Sequence, residues 1–139
     1  MNRIVILGAG GHAQVVADII LAMRKSDQDV DLVGFLDDEV ALHGKLFLGL
    51  PVLGAINKLD GIPHDSIVVA IGKNGTRREI AERLTGQGER LVAAIHPSAV
   101  LGTTVSVVPG AMICAGVVVN TASRIGGNVP APVPWTQGC

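Results

Sequence analysis

The hydrophobic positions fall into two regimes that meet near residue 94. Before it, short apolar runs alternate with longer segments of helical period. "RIVILGAGGHAQVVADIILAM" opens with a buried strand over residues 4–7, passes a glycine turn and continues as a helix. The apolar face predicted for that helix is Val15, Val16, Ile19, Ile20 and Met23, with Arg24 and Lys25 complementing the negative end of its dipole. "DLVGFLDD" reads as a second strand ending in Asp37 and Asp38, and "SIVVAIGKNG" carries a third over residues 66–71. Thr76 and Glu79 have capping-box spacing, which predicts a second helix starting near Arg77, with Ile80, Ala81 and Leu84 inward and Glu79 paired with Arg83. "RLVAAI" then gives a fourth strand. Strands alternating with helices predict an α/β domain on a parallel sheet, with any ligand beyond the carboxyl ends of the strands.

From Ile95 the period changes to six. "IHPSAV LGTTVS VVPGAM ICAGVV VNTASR IGGNVP" opens each block with an aliphatic residue: Ile95, Leu101, Val107, Ile113, Val119 and Ile125. Position five is small or aliphatic throughout: Ala99, Val105, Ala111, Val117, Ser123 and Val129. One aliphatic residue per hexad predicts a left-handed parallel β-helix, in which three short strands make a coil of about eighteen residues. A β-meander would instead alternate with period two and carry charges outward.

The expected architecture is therefore α/β. A Rossmann-like domain (residues 1–94) precedes about two β-helix coils (residues 95–129) and a non-repeat tail (residues 130–139). In that tail, "PAPVPWTQGC", the prolines at 130, 132 and 134 remove backbone donors that a further coil needs. It reads as a truncation or frameshift scar, or as the polyproline-type end of a short native chain.

Three loops should meet beyond the strand ends: residues 8–12, 36–39 and 72–75. "GAGGHA" satisfies G-x-G-x-x-[G/A], in which glycines let the backbone approach a pyrophosphate and the helix start offers N–H donors. Asp37 and Asp38 stand where a carboxylate can bond ribose hydroxyls or a base N–H. His12, in the first helical turn, could donate to a phosphate or sugar hydroxyl, or simply face solvent. His43 and His64 lie in polar loops and are expected to be exposed, and "GLPVLG" carries no chemistry.

Composition narrows the partners. With a net charge of −1 and three aromatic residues, the chain has neither a phosphate-neutralising patch nor a stacking platform, which argues against nucleic acid. Arg124 is the only charged residue after residue 90, yet polar residues and glycines interrupt that stretch, so a membrane span is not expected. The apolar run after "MNR" is too short for a signal peptide. Cys114 and Cys139 match no metal or redox spacing, consistent with a reducing, cytoplasmic setting.

In order and spacing, "VILGAGGHAQVVADI", "GFLDD", "LGLPVLG", "VVAIGKN…RREI", "IHPSAV" and "VVVNTASRIGGNV" resemble the sugar-nucleotide acetyltransferases of the NeuD/PglD type over about residues 2–129. The resemblance implies a nucleotide-linked amino sugar, UDP-linked by expectation, on the N-terminal domain. It also implies acetyl-CoA held between subunits of a β-helical homotrimer. The substrate-loop residues it implies are Gly8, Gly10, Gly11, His12, Asp37, Asp38, Gly72, Lys73 and Asn74. The implied reaction is attack of a sugar amine or hydroxyl on the thioester, with a histidine taking the proton.

That histidine belongs to a motif resembling "NTGxxVxHDC", and no residue here maps to it. "NTAS" at 120–123 sits one coil too early, and His96, at the start of the hexads, is given a structural role. The expectation is a fragment that lacks the catalytic coil and is itself inactive. The rivals are a nucleotide-binding module without catalysis and a nicotinamide-dependent oxidoreductase, the latter lacking a hydride-transfer site.

Overall fold

The computed structural model describes residues 1–102, 106, 107, 109–116, 118, 119, 124 and 125. The positions Val105, Val117 and Val129, the stretch 120–123 and the tail 130–139 lie outside the described residues. Strand β1 (Asn2–Leu7) leads into helix α1 (Gly11–Lys25), followed by β2 (Val30–Leu36), a short hairpin of β3 (Leu46–Phe47) and β4 (Leu50–Pro51), and a 3-10 segment (Ile56–Gly61). Then come β5 (Ser66–Val69) and helix α2 (Asn74–Gly86).

The sheet has the order β2-β1-β5, all parallel, with β1 central. Ile4, Val5, Ile6 and Leu7 are fully buried, as a strand covered on both faces requires. Their alternation assigns them to two cores. Ile4 and Ile6 join α1, Phe35 and Val68, while Val5 and Leu7 join Leu36, Ile67, the 3-10 segment and α2. The result is a Rossmann-like layer of sheet between helices.

Four expectations are corrected. Val15 is 44% exposed, because the inner face of α1 is set by Ala13, Val16, Ala17, Ile19, Ile20 and Met23. Helix α2 starts at Asn74, with extended Lys73 as N-cap and no side-chain cap, so Thr76 lies inside the first turn. The i,i+4 pair among the described residues is Arg78–Glu82 at 3.2 Å, on the solvent side, in place of Glu79–Arg83. The fourth strand shrinks to one bridge, Ile67↔Leu91, because Ala94–Ile95 turns away to pair with later residues.

Those later pairings share one offset. Strand β6 (Ala94–Ile95) pairs in parallel with β9 (Met112–Ile113), β7 (Val100–Leu101) with β10 (Val118–Val119), and β8 (Ser106–Val107) with β11 (Arg124–Ile125). Each residue therefore meets the one eighteen positions on. Ala94, Ala111, Met112 and Ile113 are buried in the same cluster as the inner face of α1, so the repeat segment is seated on the first domain. Among the described residues no helix is long and apolar enough to cross a membrane.

Candidate functional site

The carboxyl ends of β1, β2 and β5 converge on the glycine turn. Gly8 has φ +112°, and a Cβ there would lie 2.6 Å from the Ala70 carbonyl oxygen, so the first glycine is required by the close passage of β5. Its N–H donates to Leu36 O at 2.6 Å, pinning the turn to the end of β2 as well. Gly10 and Gly11 are different: a Cβ at either would meet nothing within 4 Å. Their missing side chains leave open space above the start of α1, where the first N–H groups of a helix have no intrahelical acceptor.

Asp37 is bound into this turn. Its Oδ2 accepts from Ala9 N and its Oδ1 from Glu39 N, both at 2.9 Å, so one carboxylate links the ends of β1 and β2. His43 Nε2 donates to the Asp37 carbonyl oxygen at 2.6 Å, which corrects the expectation of a merely exposed His43. Asp38 diverges from its neighbour. Its Oδ1 accepts from Ile56 N at 3.0 Å, and the residue lines a cavity of about 400 Å³ with Ile56, Leu59, Arg83 and Leu84 on the α2 side. The two carboxylates thus serve different faces of the sheet end.

At the end of β5, Gly72 and Lys73 are exposed, and Asn74 opens α2. The residue missing from the sequence reading is Arg77. It is only 4% exposed, and its Nη1 donates to Ile71 O at 3.1 Å and lies 3.4 Å from His12 Nε2. Burial lowers the guanidinium pKa to about 10. Burial also lowers the pKa of His12, and the nearby Arg77 charge lowers it further, which favours a neutral ring accepting at Nε2 and carrying its proton on Nδ1. A signal for Arg77 existed, since it stands at i relative to Ala81 (i+4) and Leu84 (i+7), on the inward stripe of α2.

The two remaining histidines of the described chain lie elsewhere. His64 donates from Nδ1 to Ile62 O at 2.6 Å and from Nε2 to Glu89 at 2.7 Å, so it too is engaged, at the opposite end of the sheet. His96 Nδ1 accepts from Ser98 N and Oγ at 3.1 and 2.9 Å, and Ser98 Oγ accepts from Gly116 N at 3.0 Å. That chain ties one eighteen-residue repeat to the next, which suits the structural role expected of His96. Among the described residues no group of three His, Cys, Asp or Glu could hold a metal ion.

Comparison with known proteins identifies the family. Residues 3–84 match the model of the PglD N-terminal domain. The chain is 30% identical over 117 residues to the UDP-N-acetylbacillosamine N-acetyltransferase of Bacillus subtilis (strain 168), covering 83% of this chain and 52% of that protein. It resembles a mutant perosamine N-acetyltransferase from Caulobacter crescentus, solved with CoA and GDP-perosamine, with a TM-score of 0.75 and 34% identity. That likeness covers 92% of this chain and 59% of the other. The acetyltransferase domain of PglB from Neisseria gonorrhoeae FA1090, solved with acetyl coenzyme A, gives a TM-score of 0.70 at 29% identity, over 92% of this chain and 63% of that one. The chain thus spans about half the length of the curated relative that it matches.

Proposed function

This chain belongs to the PglD N-terminal domain family, and from that premise we propose that residues 1–94 bind a nucleoside-diphosphate-linked amino sugar across the carboxyl ends of β1, β2 and β5. The observation that carries the reading is the convergence there of the open glycines Gly10 and Gly11, the turn-bound Asp37 and the His12–Arg77 contact. Gly8, Gly72, Lys73, Asn74 and Asp38 complete the proposed binding loops. A UDP-linked sugar is the first choice, following the name of the Bacillus relative, and a GDP-linked one the competitor, following the Caulobacter complex.

The eighteen-residue offset of the parallel pairs supports reading residues 95–129 as left-handed β-helix. In the proposed reaction that element serves acetyl transfer from acetyl-CoA to the sugar, in a homotrimer and in the cytoplasm. The amine or hydroxyl attacks the thioester carbonyl, the thiolate of CoA leaves, and a histidine base takes the proton from the attacking group. No histidine of these 139 residues matches the implied catalytic motif, so binding without turnover is the activity proposed for this chain.

Calorimetric titration with UDP-linked and GDP-linked 4-amino sugars should show saturable one-site binding of one of them. No binding of either by a folded chain would remove the reading. Thiol release from acetyl-CoA should stay at background in the same mixture, and turnover typical of enzymes would overturn the non-catalytic part.

A further inference from the structure

The chain leaves the sheet domain by a strap, residues 87–93, that is fastened by a side-chain contact as well as by main chain. Its backbone lies along the outer edge of β5, with Ile67 N donating to Arg90 O at 2.9 Å and Val92 N to Ile67 O at 3.1 Å. Leu91 faces the repeat segment, its Cδ1 lying 3.6 Å from where a Cβ on Gly110 would stand. Directly after the strap, Ala94 is buried in the cluster that Ala111, Met112 and Ile113 share with α1. Glu89 ties the strap to the loop before β5 by accepting from His64 Nε2 at 2.7 Å, and the two side chains are only 11% and 15% exposed.

His64 is placed so that this tie depends on its proton count. Nδ1 faces Ile62 O at 2.6 Å while Nε2 faces Glu89, and a carbonyl and a carboxylate can only accept. Both contacts are hydrogen bonds only when both ring nitrogens carry hydrogen, because either neutral tautomer sets a lone pair against one of the oxygens. The carboxylates of Glu89 and Asp65 act on the ring. The cations on this side are held by other carboxylates, Arg3 by Asp65 at 3.3 Å and the Met1 amino group by Asp29 at 3.2 Å, and Arg90, beside Glu89, is exposed.

We propose that His64 and Glu89 form a pH-operated clasp on the strap that joins the sheet domain to the repeat segment, closed while His64 carries both ring protons and loosened when it gives one up. Burial alone would lower the pKa of the ring, but the Ile62 and Glu89 hydrogen bonds and the charges of Glu89 and Asp65 outweigh it and raise the value above 6.5. The clasp is therefore closed at pH 6.5 and below and loosens as pH rises through the higher folded value. The strap then depends on its main-chain bonds to β5. The device sits at the amino ends of the strands and does not depend on the ligand reading.

Amide hydrogen exchange from about pH 6 to about pH 8.5, expressed as protection factors, tests it. Protection at Ile67 and Val92 should fall roughly tenfold or more as the charge-assisted bond is lost. Val52, whose N–H donates to Lys45 O in the hairpin beyond β2, opens without disturbing the clasp and should stay within about twofold. In Glu89→Gln the side-chain amide can donate to a bare Nε2, so protection at Val92 should start lower and vary by no more than about twofold over the range. No fall at Val92 in the wild type, an equal fall at Val52, or the full fall retained in Glu89→Gln overturns the proposal.

A second measurement needs no variant to fold. The ring ¹⁵N resonances of His64 in the wild-type chain should titrate with a midpoint above 6.5 that coincides with the midpoint of the loss of protection at Val92. A midpoint at or below 6.5, or a strap that opens at a different pH from the ring, overturns the clasp.

Discussion

The two ends of one sheet carry their charges in opposite ways. At the amino ends of the strands, opposite charges meet: the Met1 amino group with Asp29 at 3.2 Å, Arg3 with Asp65 at 3.3 Å, Arg24 with Asp31 at 3.0 Å and His64 with Glu89 at 2.7 Å. At the carboxyl ends, Asp37 and Asp38 accept from backbone N–H groups. Opposite charges brought together mainly hold the fold, and the exposed pairs among them contribute little. The carboxylates at the other end are instead tied to main-chain N–H groups and hold the loops that follow β1 and β2.

The strongest way to break this contrast is at the turn itself. Gly8→Ala places a Cβ against the backbone of Ala70 at a φ that disfavours any side chain, and should cost about 3 kcal/mol or more. Thermal unfolding would show a midpoint lowered by roughly 10 °C or more. A melt within a few degrees of wild type would mean that β5 does not pass so close.

Asp37→Ala comes next, because it strips an ionised acceptor from Ala9 N and Glu39 N and should cost roughly 1.5–3 kcal/mol in urea denaturation. An unchanged urea midpoint would show that the carboxylate is not what joins β1 to β2.

The histidines at the two ends should respond to pH with opposite signs. Burial alone would lower the pKa of His64, but its hydrogen bonds to Ile62 O and Glu89, with the charges of Glu89 and Asp65, outweigh this and raise it above 6.5. The stability it contributes is complete below the unfolded value and is lost as pH rises through the higher folded value. Glu89→Gln should therefore cost about 1–2 kcal/mol near pH 6 and progressively less toward pH 8.5. His12 has a lowered pKa, so the unfolded chain takes up a proton that the fold resists, and stability falls as pH drops through about 6.5. His12→Asn should flatten that acid-side loss. Parallel pH profiles for the two variants would erase the distinction between the two ends.

The smallest expected effect on stability is the sharpest test of the open space. Gly11→Ala meets no atom within 4 Å and sits in the first turn of α1, so the melting midpoint should stay within about 0.5 kcal/mol of wild type or rise slightly. Nucleotide binding should nevertheless weaken, since the added methyl occupies the space assigned to the ligand. Undiminished affinity would move the ligand away from Gly11.

Much of this arrangement is legible in the residue pattern because its causes are local or periodic. The continuous apolar run of Ile4 to Leu7 requires a strand covered on both faces, and the hexads set an eighteen-residue repeat that appears as the register of the parallel pairs. The glycine turn is legible too, although the string does not separate Gly8, excluded from carrying a side chain by Ala70, from Gly10 and Gly11, where a Cβ would meet nothing within 4 Å.

The start of α2 is not legible in the string, because Thr76 and Glu79 have capping spacing without the geometry, Lys73 being the last extended residue. His43 and His64 look like exposed loop residues until Asp37, Ile62 and Glu89 are brought to them by the fold.

What the amino-acid sequence determined by itself is the sheet-and-helix domain, the glycine turn at the carboxyl end of its first strand and the six-residue repeat that follows. Each is written in neighbours a few positions apart, where backbone sterics and side-chain periodicity act directly. Tertiary structure alone decided that Asp37 and Asp38 part to different faces, and that Arg77 crosses from α2 to His12, sixty-five residues away in the chain. Those outcomes depend on which distant donors and acceptors the parallel sheet places within hydrogen-bonding reach, a matter of packing that no local pattern encodes.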